Sequence, residues 1–149
     1  MKSYQMLIIG VILAVALIFA GCTSSSGTAP GVTIVSPKDK ATITGSNVTM
    51  TIQITNFAIT PQSMDMNNVQ GMQNKAGSGH IHWFIDVPAP TDTSKKAETA
   101  EGTWTMHDDT SYTFTNVQPG THTLSVELVN NDMTPLSQPV YQTITVMVQ

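Results

Sequence analysis

His80 and His82 stand one residue apart in the stretch GSGHIHWFID, residues 77–86. Side chains alternate between the faces of a β-strand. Both imidazoles would therefore share one face, with their Cα atoms roughly 6–7 Å apart. At that spacing two ring nitrogens can converge on one ion, and neutral imidazole is the commonest metal ligand among side chains. Further donors are scattered along the chain. His122 follows the Pro119-Gly120 corner, Met133 lies in NNDMTP, and Met64, Met66 and Met72 fall in an Asn- and Gln-rich stretch before the histidine pair. Methionines outside an aliphatic run are harder to assign to a core. Thioether and imidazole donors together select copper, above all Cu(I), over magnesium or calcium.

The candidate metal set is thus His80, His82, His122 and Met133, with Met64, Met66 and Met72 as secondary ligands and a copper ion as the cofactor. Sharing one ion requires His122 within about 5–8 Å of the pair, because ligand bonds of roughly 2 Å bridge no more. The single cysteine, Cys22, lies in the leader. That placement removes thiolate zinc and blue-copper sites from consideration. The competing interpretation is that the imidazoles only hydrogen-bond loop backbone or Asp86. His107, beside two acids in TMHDD, reads as a surface residue.

The elements that must position these residues read as strands. NVTMTIQITNF alternates strictly, with Val48, Met50, Ile52 and Ile54 on one face and polar residues on the other, the pattern of a half-buried strand. In HIHWFIDVP, residues Ile81, Trp83, Ile85 and Val87 form the core face and His80, His82, Phe84 and Asp86 the other. VTIVSP, ATITG, TWTMHD, SYTFTNV, THTLSVELVN and VYQTITVMV supply the remaining strands, and NDMTPLSQP reads as a loop. No stretch carries a helical apolar stripe. The fold expected is an all-β, immunoglobulin-like antiparallel sandwich of about seven to eight strands.

Residues 1–21 read as a lipoprotein signal peptide: Lys2, an uncharged apolar run, then small residues before Cys22, which would carry the lipid. Residues 22–31 form the lipidated cysteine and a flexible spacer, and 32–149 the sandwich domain. The domain is expected on the extracytoplasmic face of the membrane, with membrane lipid as its partner through Cys22. An uncleaved transmembrane anchor would place it on the same side. Asn47 begins an Asn-Val-Thr sequon for glycosylation. The formal net charge is −4, and the chain has no arginine. Nucleic acid, recognised through clustered Lys and Arg, is excluded as a partner. No nucleophile elbow, phosphate loop or His-Glu-x-x-His occurs, so no enzyme activity is expected.

Three motifs carry a resemblance: Gly79-His80-Ile81-His82, Pro119-Gly120-Thr121-His122-Thr123-Leu124, and Asn131-Asp132-Met133-Thr134-Pro135. Over Val32 to Val148 the chain resembles a family of short secreted or lipid-anchored archaeal and bacterial β-domains of unknown function. The resemblance implies the fold and the location, and it brings no activity. In many such relatives histidine stands where this chain has Met133, an exchange that would favour a softer ion. Two functions follow from the sequence: a membrane-tethered sandwich that binds a transition metal, probably copper in view of its thioethers, or a metal-free structural or adhesive surface module.

Overall fold

The computed structural model describes residues 29–61 and 73–149. The leader, Cys22, Met64, Met66 and Met72 lie outside the described residues. Nine strands run in chain order among the described residues: β1 (Gly31–Ser36), β2 (Thr42–Ile43), β3 (Val48–Thr55), β4 (Ala58–Ile59), β5 (Ser78–Ile85), β6 (Trp104–Met106), β7 (Ser111–Phe114), β8 (Gly120–Val129) and β9 (Pro135–Val148). They form an immunoglobulin-like sandwich of two sheets. One sheet has the order β1-β3-β7. The other has the order β2-β9-β8-β5-β4, with β6 also paired to β5. The long pairings are antiparallel. Two-residue parallel pairings add β2 to β9 and β4 to β5, and these short pieces account for the count above seven or eight.

The alternation read in the sequence sets the core. Val48, Met50 and Ile52 of β3 meet Ile81 and Trp83 of β5, Leu124, Val126 and Leu128 of β8, and Ile144, Val146 and Val148 of β9. The other side chains of β3 stay exposed or half-exposed, as a one-sided strand requires. β5 differs, because Ser78 through Phe84 are buried on both faces. Phe84, Val129 and Met133 are buried without belonging to the main core. They mark a second, smaller buried region on the outer face of the larger sheet.

The cover over that face comes from the connection between β5 and β6. Its two buried alanines are Ala89 and Ala97. Ala97 is tied on both sides. Its N–H donates to the Met133 carbonyl at 2.7 Å, and its carbonyl oxygen lies 2.7 Å from His82 Nδ1. The histidine pair therefore sits under a strap, not at a solvent surface.

Two strand boundaries differ from the sequence expectation. β9 begins at Pro135, within the stretch read as a loop. Val129 pairs with Pro135 while Leu128 pairs with Val140, so the residues between step out of the ladder. A proline without an N–H fits a strand at its first residue or at such an excursion. At the end of β5, Asp86 takes φ +58°. It leaves the strand there, so it does not share the histidine face.

Candidate metal centre

Strand register places the central residues. On the outer face His82 lies directly opposite Glu127 of β8 on one side and Met106 of β6 on the other, and His80 lies opposite Val129. Directly opposed residues on antiparallel strands hold their Cβ atoms about 5 Å apart, and diagonal neighbours about 7–8 Å. Glu127 thus shares the outer face with both imidazoles. Gly79 allows this register. A Cβ there would overlap the carbonyl of Val129, so the glycine of the Gly-His-x-His motif is the residue that lets β5 and β8 pair at the histidine end.

His80, His82 and Glu127 are 1% or less exposed. His80 Nδ1 and Nε2, His82 Nε2 and both carboxylate oxygens of Glu127 are buried without a hydrogen-bond partner. Such atoms are rare, since burying a polar group unpaired costs about 1–3 kcal/mol. Here five occur on three neighbouring residues. Asn131 adds its unpaired Oδ1 just beyond the end of β8, while its Nδ2 donates to the carbonyl of Gln73 at 3.0 Å.

Burial governs the protonation of the group. His82 packs beside Trp104, with ring centroids 4.9 Å apart, and beside Phe84. Desolvation lowers its pKa to about 4, against the opposing pull of the Ala97 carbonyl, and nearby His80 lowers it further. The neutral ring donates from Nδ1 to the Ala97 carbonyl. Nε2 is left as a bare lone pair, which is the arrangement of a metal-ligating histidine oriented by a backbone acceptor. Desolvation pushes the Glu127 carboxyl up to about 8. Among the described residues, no group of three or more His, Cys, Asp or Glu side chains could hold a metal ion.

His122 does not join the pair, which corrects the expected ligand set. It shares the parity of Leu124, Val126 and Leu128, so it points to the opposite side of the sheet from Glu127. It also lies five residues along β8 from Glu127, roughly 17 Å at strand rise. Its ring closes the end of the sandwich. Nδ1 is 2.7 Å from Asp86 Oδ2 and Nε2 is 2.7 Å from the Gln118 carbonyl. Two acceptors facing two ring nitrogens favour the doubly protonated imidazolium. The hydrogen bond to Asp86 raises the pKa above its usual value, with desolvation working against it and the Gln118 carbonyl adding to it. The same carboxylate accepts from the Thr123 N–H at 3.1 Å.

Met133 is 5% exposed and takes φ +70° in the turn between β8 and β9, where its carbonyl receives the Ala97 N–H. Asn47 is exposed in the loop before β3. His107 is half-exposed, and its Nδ1 accepts from the Asp109 N–H. Sequence reasoning did not single out Glu127. The available signal was one glutamate inside the apolar run LSVELV, at the register of the histidine face.

The fold and the buried side chains together define an all-β sandwich carrying a cluster of buried polar groups beneath a loop. Residues 50–149 match the domain of unknown function DUF4399. The chain belongs to that family. No curated protein matches it in sequence. Solved structures with a similar arrangement include fibronectin(III)-like modules of CbhA from Clostridium thermocellum, at 13% identity and TM-score 0.44, covering 81% of this chain and 47% of that one. An engineered protein matches at 10% identity and TM-score 0.43, over 83% of this chain and 21% of the other. The extracellular domain of a protein described as a one-component system from B. thetaiotaomicron matches at 10% identity and TM-score 0.37, over 81% and 15%. The chain spans about half or less of the length of these structures.

Proposed function

We propose that this protein is a membrane-tethered, extracytoplasmic β-sandwich that binds a transition-metal ion through His80 and His82, as a binding module and not an enzyme. The observation that supports it is the set of three buried imidazole nitrogens, His80 Nδ1 and Nε2 and His82 Nε2, that no group among the described residues satisfies. Metal coordination would satisfy one lone pair on each ring. Met133, buried in the turn whose carbonyl holds the strap over the pair, carries a thioether that keeps copper among the candidate ions. Tethering follows from the Lys2-to-Cys22 leader, with the lipid on the cysteine thiol.

The test is equilibrium titration of the purified full chain with Zn(II), Cu(II) and Cu(I). Binding of at least one ion at micromolar concentration or tighter is the expected result, and no binding of any of them removes the metal reading. Loss of membrane association in Cys22→Ala checks the anchor.

A second reading rests on two specific contacts. His122 pins the β5 end to β8 through Asp86, and His82 pins the strap through the Ala97 carbonyl. On this reading the protein is a metal-free structural or adhesive surface module. It makes the opposite statement about His80, whose replacement by alanine would alter stability equally with or without metal.

A further inference from the structure

We infer that β7 is a docking edge for a second copy of this chain, the two β7 strands pairing antiparallel about a two-fold axis at Tyr112. β7 ends the smaller sheet, and among the described residues no strand pairs with its other side. The opposite edge of that sheet is partly occupied, because the Ile34 N–H of β1 donates to the Gln142 side chain of β9. The Ile52 N–H of β3 donates to the Thr110 carbonyl at 2.9 Å, and that bond sets the phase of the ladder. Main-chain groups alternate sides along an antiparallel strand. Thr110, Tyr112 and Phe114 therefore face β3, while Ser111 and Thr113 direct their N–H and C=O groups outward.

Charge, proline or a bulge commonly guards an edge strand against pairing. Residues 110–115 read TSYTFT, with no charged residue, proline or glycine, and β7 meets β3 without a register shift. Their β-branched and aromatic side chains suit an added strand. Antiparallel pairing centred on Tyr112 sets Ser111 opposite Thr113 of the other copy and joins the outward main-chain groups of both. Hydroxyls stay on the outer face and Tyr112 and Phe114 on the inner one. The same register sets Asp108 and Asp109 beside Asn116 and Thr115 of the other copy, so no acid faces an acid. The edge is thus self-complementary, as a two-fold interface requires. Half-buried Tyr112, packed on Trp83 and Phe114, is covered by its own counterpart. With four residues the strand is short, and the dimer is a weak one.

The experiment is sedimentation equilibrium of the full chain in detergent micelles, from about 1 μM to about 1 mM, for the wild type, Thr113→Pro and Gln53→Lys. Thr113→Pro removes an outward N–H that the ladder to β3 does not use. Gln53→Lys puts a charge on the exposed face of the same sheet, away from the edge. The wild type is expected to pass from monomer to dimer over this range. The proline variant is expected to weaken the dimer at least about tenfold, since both copies lose a main-chain bond, and Gln53→Lys to leave it unchanged. Thr113→Lys, which brings charge to the edge, repeats the readout if chemical denaturation shows the proline form unfolded. A wild type that stays monomeric overturns the second copy as the occupant. A dimer that the folded Thr113 variants leave intact, or that Gln53→Lys weakens equally, overturns the edge as the contact.

Discussion

The two ends of the larger sheet treat the same side chain in opposite ways. At the sandwich end, His122 has an acceptor at each ring nitrogen, and its charge is matched by Asp86. Under the strap, among the described residues, His80 and His82 have one partner for four ring nitrogens, and Glu127 has none. One arrangement is complete with protein atoms alone. The other is stabilised by the protein only in part, and proteins retain such uncompensated groups mainly where they serve a ligand. Spacing in sequence does not separate the two cases, because His122 and His82 both lie on strands and near acids. Partner geometry does separate them.

The largest effect that would break this contrast is loss of metal. Replacing His80 and His82 together by alanine should weaken binding by roughly 100-fold or more, while His122→Ala should leave it unchanged. Calorimetric titration of the two variants checks both statements, and equal losses would erase the distinction.

Next is the pairing that brings the histidines to Glu127. Gly79→Ala forces a methyl group into the Val129 carbonyl and should destabilise the domain by on the order of 3 kcal/mol, read from chemical denaturation. A near-neutral result would mean that the register at this end is easily shifted.

A smaller effect lies in pH dependence, where His122 and His82 have opposite signs. His122 has a folded pKa raised above 6.5. Its stabilisation is therefore fully present below pH 6.5 and is lost as pH rises through the higher folded value. The partly exposed clasp should contribute about 1–2 kcal/mol, and Asp86→Asn should flatten that slope. His82 is depressed to about 4, so the unfolded chain takes up its proton first, and stability falls as pH drops from 6.5 toward 4. Urea unfolding of the metal-free chain across this range, with and without each histidine, resolves the two slopes.

Much of the architecture was legible in the sequence. The alternation of Val48, Met50, Ile52 and Ile54, and the apolar parity of Ile81 and Trp83, follow from strand geometry alone, and they locate the core. The outer face of β5 was not legible, because a polar connection such as residues 87–103 gives no periodic signal, and two alanines suffice to lay it over a sheet. The β9 start was hidden by Pro135 and Pro139, which read as breakers but are accommodated where the ladder is interrupted. Of the candidate ligands, the His80/His82 pair came from period-two spacing, and its shared face is what the register shows. The position of His122 required knowing which residues β8 places opposite β5, and that depends on pairing between distant segments.

The tie through Ala97 also has a kinetic meaning. Solute reaches His82 only when residues 87–103 swing away, and few buried side chains resist that opening. Exchange at the histidine pair would then keep time with local breathing of one surface segment, largely independent of how tightly the sandwich beneath it is held.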